Sequence, residues 1–273
     1  MIQPNHFPSR EEVTAIVVKN GLKTRFDQLE TAWEQALVQI NELFKLDSST
    51  QPAQQLASSS QTAFTKTPGH KLLIGLAGPG AVGKGTIGSK LLDDFGFSKI
   101  VNTTTRPARE GEIDGVHYKF TDLETFQAQQ SAGAFASSLE RPGRGWYGVE
   151  KAEITQKLHD ATTGCLFEEN PENIIKIFQA INLPQTDKVL VYLLPPEPII
   201  ASSAQRLIYR LSQEPDPVKR QLTAEVFEST LGQRQIDEFS KLSLIVDQPD
   251  VQLLVLINAQ LETTLATLRQ LLQ

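Results

Sequence analysis

An α/β fold is what this sequence predicts: a mainly parallel sheet with helices on both faces, three layers in all, preceded by a helical extension. Three observations carry the prediction. From Lys71 onward short apolar runs alternate with helical segments, the pattern of a parallel sheet wrapped by helices. The first of those runs leads into a glycine-rich turn and then a helix, the setting of a phosphate-binding loop. Ahead of Lys71 lie two helical patterns and a polar stretch. With 273 residues, 40% hydrophobic and 21% charged, the chain suits one globular domain plus an extension, or two small domains.

The elements follow in order. Ser9 and Glu12 have the spacing of a capping box, which predicts a helix from about Arg10 to Asn20-Gly21, a common stop signal. In the next helix Phe26, Leu29, Trp33, Leu37, Ile40 and Phe44 form an apolar stripe at steps of three and four. Packing on the chain's own core is the favoured role of that stripe; a homodimer or a partner helix is the sharper one, and the stripe does not choose between them. Residues 1–46 therefore read as a helical extension. Residues 47–70 change character, with Ser48-Ser49-Thr50-Gln51-Pro52 and Ser58-Ser59-Ser60-Gln61, and read as a flexible linker.

In the main domain, 71–273, strands are expected over Leu72–Ala77, Lys99–Asn102, Cys165–Glu168, Val189–Leu194 and Gln252–Asn258. Helices are expected over Lys84–Asp94, Asp122–Ser131, Glu150–Ala161, Pro171–Ile181, Glu197–Leu211, a long stretch within Val218–Lys241, and Leu261–Leu271. Lys241 to Asp250 reads as an added or remodelled segment rather than as the last strand.

The strongest local signal is Gly78-Pro79-Gly80-Ala81-Val82-Gly83-Lys84-Gly85-Thr86. Glycines let successive backbone N–H groups turn around a phosphate, and the following helix adds its free N–H groups and positive dipole end. Lys84 supplies a full charge near the outer phosphates. The usual Ser or Thr after the lysine is Gly85, with Thr86 one place on. A second dense stretch runs from Asn102 to Phe120. Arg106 and Arg109, preceded by hydroxyls and followed by Tyr118, suit a second phosphate, because a guanidinium fork matches phosphate oxygens and keeps its charge.

Other classes recede. A net charge of −6 argues against a general nucleic-acid binder. No apolar run approaches the roughly 20 residues that span a bilayer. The start, Met1 to His6, lacks the basic and apolar parts of a signal peptide. One cysteine, Cys165, gives no disulfide framework, and the four histidines show no zinc spacing. The cytoplasm is the expected setting.

Taken together, GPGAVGKGT at Gly78–Thr86, TTRPAREGEIDGVHYKF at Thr104–Phe120, GWYGV at Gly145–Val149, LLPP at Leu193–Pro196 followed by Arg206 and Arg210, and a final VLIN strand ending at Asn258 resemble the guanylate kinase family. The resemblance covers Lys71 to Gln273. It implies transfer of the terminal phosphate of ATP to GMP with Mg²⁺, a small subdomain for the nucleoside monophosphate (NMP) at about 102–150, and a lid at about 206–222. It implies that Gly78 to Thr86 wrap the ATP phosphates, with Arg220 and Asn258 also on the ATP side. Lys84, Arg106, Arg206 and Arg210 would act on the moving phosphoryl group, and Thr86 would assist the metal. Asn102, Arg106, Arg109, Tyr118, Ser137, Tyr147, Glu168 and Asn170 would meet the acceptor.

The departures are selective. Ser137 stands where the family places a base-reading glutamate, with Glu140 the nearest carboxylate. Asn102 replaces a serine, and the family's two aspartates align with Glu168 and Asn170. Phosphate-holding groups stay and guanine-reading groups change, which implies GMP bound differently or another acceptor base. The alternative is a non-catalytic guanylate kinase-like module that binds a nucleotide or a protein.

Overall fold

The computed structural model describes residues 6–46, 51–141 and 143–272. The expectations that touch Met1–Asn5, 47–50, Pro142 and Gln273 lie outside the described residues. In chain order the elements are α1 (Arg10–Lys19), α2 (Lys23–Leu43), α3 (Pro52–Ala63), β1 (Lys71–Ala77), α4 (Lys84–Phe95), β2 (Phe97–Lys99), β3 (Thr103–Thr104), β4 (Lys119–Phe120), α5 (Leu123–Ser131), β5 (Phe135–Arg141), β6 (Gly145–Glu150), α6 (Lys151–Asp160), β7 (Gly164–Glu168), α7 (Pro171–Gln179), β8 (Thr186–Leu194), α8 (Ile199–Ser212), α9 (Ala224–Leu231), α10 (Gln233–Ser240), β9 (Val251–Ile257) and α11 (Leu261–Leu272).

The central sheet has five parallel strands in the order β2-β7-β1-β8-β9. Side chains alternate across it with the period of two that a strand imposes. Leu72, Ile74 and Leu76 of β1 join Ile87, Leu91, Leu265 and Leu268 in one hydrophobic layer. Leu73 and Ala77 face the other layer, with Phe167, Ile174, Phe178, Tyr192 and Leu207. Gly75 sits on that second face because a Cβ there would lie 2.3 Å from Ile174. The three-layer α/β/α prediction therefore holds. From β1 the chain runs first to β2 and β7 on one side and later to β8 and β9 on the other. Such a reversal opens a crevice at the carboxyl end of β1, where ligands bind in sheets of this kind. A second, four-stranded sheet, β4-β3-β6-β5, stands above that crevice. Its β5–β6 hairpin, turned at Gly143 (φ 70°), was not expected from the sequence.

The linker reading is corrected. Residues 52–63 form α3, which starts on Pro52 at its first position and buries Ala53, Leu56, Ala57 and Ser60. That spacing is one helix face, in which Leu56 is the one large apolar side chain, so no apolar stripe stands out in the sequence. Ser60 Oγ accepts from Val255 N–H at 2.8 Å, and Gln61 Nε2 donates to the Val255 carbonyl at 3.1 Å. The serines and glutamine read as low complexity thus dock the helix on β9.

The other N-terminal expectations hold. Ser9 and Glu12 form the capping box. Leu29, Trp33, Leu37 and Ile40 of α2 are buried in the same cluster as β1, α7 and α8, so the stripe packs on the chain's own core. Trp33 meets Phe239 at a centroid distance of 5.1 Å and Phe26 meets Phe227 at 6.5 Å. Arg25 grips Glu228 with both Nε (2.5 Å) and Nη2 (3.1 Å). Of the N-terminal arm, α1 and α2 are therefore seated largely against α8, α9 and α10, while α3 lies on α2 and β9. The long helix expected within 218–241 is two helices, broken at Gly232. Lys241–Asp247 forms a 3₁₀ helix rather than a strand, with Leu242 and Ile245 buried.

Candidate active site

The turn between β1 and α4 takes the shape its glycines permit. Gly83 caps α4 in the left-handed region (φ 97°), and a Cβ on Gly78 would lie 2.5 Å from the Leu193 carbonyl oxygen. Val82 is fully buried and anchors the turn. Its carbonyl accepts from Asn258 Nδ2 (2.8 Å) and from Arg206 Nη1 (3.0 Å), and Arg206 Nη2 donates to the Asn258 carbonyl. Arg206 and Asn258 are thus braces beneath the loop. The Lys84 ammonium donates to the carbonyls of Gly78 (2.7 Å) and Pro79 (3.0 Å). Burial lowers the Lys84 pKa, against the pull of Glu168 and Glu238. Thr86 is exposed in the first turn of α4, as is Gly85.

A hollow of about 350 Å³ lies above this loop, walled by Gly78, Gly80, Lys84, Glu168, Asn170 and Arg210 among others. A second, of about 340 Å³, is walled by Gly85, Gly88, Asn102, Tyr118 and again Glu168. Glu168 stands between the two. Burial of β7 up to Phe167 and the exposure of Glu168 at its end put a carboxylate at the crevice mouth.

On the second sheet, Arg106 Nη1 and Nη2 both donate to Glu112 at 2.6 Å. The guanidinium lies 4.8 Å from the Tyr118 ring centroid, and Tyr118 meets Tyr147 edge-on at 5.9 Å. Arg106, Tyr118 and Tyr147 are therefore brought together. Arg109 is exposed beside them, its backbone N–H donating to Glu112. The Arg106 guanidinium, with that N–H, holds the Glu112 carboxyl down to about 2. A carboxylate depressed on folding adds stability above its free value and loses it as pH falls. The melting temperature of Glu112→Gln is accordingly expected to trail wild type by a constant interval above about pH 5. That interval should shrink steadily between about pH 4.5 and 2, as read by thermal melts across the range.

Toward the base-reading positions, Ser137 lies on β5 opposite Val149. Asn170 caps α7, its side-chain oxygen accepting from Asn173 N–H at 3.0 Å. Asn102 Nδ2 donates to Glu169 Oε1 at 3.4 Å. Arg220 is not brought to the loop. It donates to the carbonyls of Glu214 and Pro215 and lines a separate hollow with Ile16 and Lys19 of α1. The expected lid from 206 to 222 begins inside α8, at a residue fixed under the loop.

Several cleft residues were missed. Glu169, between the two aligned positions, has a side chain only 6% exposed, and burial raises its pKa. Arg141 ends β5, stacks over Tyr147 at 4.6 Å and approaches Glu169 at 3.8 Å; the charged turn around it was the available signal. Thr230, Arg234, Gln235 and Glu238 of α9–α10 also wall the loop hollow, and no spacing in the sequence pointed to them. Cys165 is fully buried, with its thiol pushed up to about 12 by that burial, so it packs rather than reacts. Among the described residues no group of three or more His, Cys, Asp or Glu is placed to hold a metal ion.

Known proteins resemble this chain in sequence. A sequence model of the guanylate kinase family matches residues 70–273. The guanylate kinase of Thermus thermophilus is 31% identical over 150 residues, 55% of this chain and 64% of that protein. Those of Symbiobacterium thermophilum (34% over 153 residues, 55% and 68%) and Enterococcus faecalis (32% over 155 residues, 55% and 71%) are similar. The match thus spans less than two thirds of the Thermus protein. The crystal structure of guanylate kinase from Anaplasma phagocytophilum aligns at 20% identity with a TM-score of 0.45, covering 75% of this chain and 85% of that one. Because the family model matches residues 70–273, from just before β1 to the last helix, this chain belongs to the guanylate kinase family.

Proposed function

We propose that this chain is an ATP-dependent nucleoside monophosphate kinase, with GMP the favoured acceptor and base selection relaxed. The observation that carries the reading is the pair of hollows joined at Glu168. One is floored by Lys84 and the phosphate loop, and the other reaches Asn102 and Tyr118. An acceptor phosphate held there by Tyr118, Tyr147 and the arginines needs no side-chain nucleophile. Its own oxygen forms the bond to the terminal phosphorus of ATP as the bond to the ADP oxygen breaks. Catalysis is then positioning and neutralisation of charge, with Lys84 and Arg210 as the cations on the donor side. The donor set fits Mg²⁺ brought in with the nucleotide. The Thr86 hydroxyl is exposed, and the Glu168 carboxylate lies against α4, 3.3 Å from where a Cβ on Gly88 would stand. Bound there, the ion would neutralise phosphate charge.

The relaxed base selection follows from what remains at the reading positions. Ser137 offers a hydroxyl, and Asn170 has committed its oxygen to the α7 cap, so neither presents a free carboxylate to the guanine N–H groups. Steady-state rates with GMP, AMP, CMP, UMP, dGMP and dTMP test this. Turnover is expected with at least one of them. Preference for GMP over AMP is expected to stay within about 10²-fold, against about 10⁴ or more for a site that pairs every polar group of the base. No turnover with any acceptor would sink the kinase reading and leave the binding module.

A further inference from the structure

One donor of the phosphate loop is already engaged by the protein itself. The Gly80 N–H donates to the side-chain oxygen of Gln235 at 2.9 Å, across 155 residues of sequence, and Gln235 is only 6% exposed. The Thr230 carbonyl oxygen lies against the same glycine, 2.2 Å from where a Cβ would stand. Lys84 is turned onto two loop carbonyls. A phosphate oxygen reaching the Gly80 N–H would have to displace the Gln235 side chain, and it would meet the negative end of the Thr230 carbonyl.

We propose that α9–α10 is an internal plug of the phosphate loop, in which the Gln235 amide oxygen stands in for a nucleotide phosphate oxygen, and that the N-terminal arm holds the plug in place. The proposal rests on the kinase reading for what the plug excludes. Its device is neutral and therefore weak: an amide oxygen makes one ordinary hydrogen bond, whereas a phosphate brings charge to the loop, Lys84, Arg210 and Arg234. The donor nucleotide can thus displace it, at a cost in affinity. The latch lies on the same two helices, where Arg25 grips Glu228, Phe26 meets Phe227 and Trp33 meets Phe239. Loosening the arm should therefore open the loop from a distance.

The test is calorimetric binding of a non-hydrolysable ATP analogue to the full chain, with thermal melts as the folding control. Gln235→Met keeps the buried volume and removes the oxygen, and is expected to bind about fivefold tighter, the equilibrium worth of one neutral hydrogen bond. Arg25→Ala, far from the nucleotide, is expected to bind about two- to threefold tighter, as for loss of a partly exposed ion pair. Should Gln235→Met misfold, Gln235→Ala is the second variant, with the same expected direction. Unchanged or weaker binding in the folded Gln235 variant overturns the plug and makes Gln235 a brace. Unchanged binding in Arg25→Ala overturns the arm's part. If wild type and variants all bind no analogue, the kinase reading falls as well; if wild type binds and Gln235→Met gains nothing, only the plug falls.

Discussion

Replacing Lys84 with alanine is expected to lower the turnover number by about 10²–10³-fold, the usual effect of removing one group aimed at developing charge, while the protein still folds. The two halves of that expectation have separate causes. The ammonium is held over the loop by two carbonyls, 2.7 and 3.0 Å away, so it is a charge kept near where the transferring phosphoryl group would pass. The fold does not depend on it. The loop is anchored from below by Val82, Asn258 and Arg206, none of which contacts the Lys84 side chain through these bonds. A melt within about 2 °C of wild type beside a collapsed turnover number is the expected pair of results. Activity within tenfold of wild type would remove Lys84 from the mechanism.

Trp33→Ala should destabilise the whole protein by about 3–5 kcal/mol, the usual cost of truncating a buried aromatic. That corresponds to a fall in melting temperature on the order of 10 °C for a chain of this size. Trp33 is 1% exposed, and its partner Phe239 is fully buried. If the arm were an appendage, truncating Trp33 would detach it and leave the main melt unchanged. Because Trp33, Leu37 and Ile40 share one hydrophobic cluster with Phe167, Ile174 and Leu207, a single cooperative transition shifted downward is expected instead. A scanning-calorimetry trace split in two, with the upper peak at the wild-type temperature, would show the arm to be separable.

What could be read from the sequence was local. Leu72–Ala77, the glycine turn and the helix from Lys84 are contiguous, and each reports its own conformation through periodicity and φ requirements. The Arg106 region was legible for the same reason: Glu112, Tyr118 and the arginines lie within a short loop. What escaped depends on chain segments far apart. Arg206 and Arg210 are one helical turn apart and look equivalent in sequence. In the fold one is inserted under the loop by carbonyls from Val82 and Asn258, and the other is left at the hollow. Nothing in the run from Thr230 to Glu238 announces that it meets Gly80. Helix α3 escaped because alanine and serine bury well against a strand without registering as hydrophobic. The β5–β6 hairpin escaped because its alternation is interrupted by Ser137, Ser138 and Gly148.

The docking of α3 on β9 also bears on how the molecule keeps to itself. A parallel sheet ends in two rows of unpaired backbone groups, and such rows invite pairing with another chain. At one end the sheet stops at β2, only three residues long, too short to be a good template. At the other stands β9, seven residues long and rich in valine, leucine and isoleucine, a sequence suited to intermolecular stacking. Ser60 and Gln61 take up both backbone groups of Val255 at its middle, and the side chain of Gln252 pairs with the backbone of Thr65 nearby. The polar tract thereby acts as a guard against aggregation, covering the outermost strand with side-chain hydrogen bonds in place of another strand.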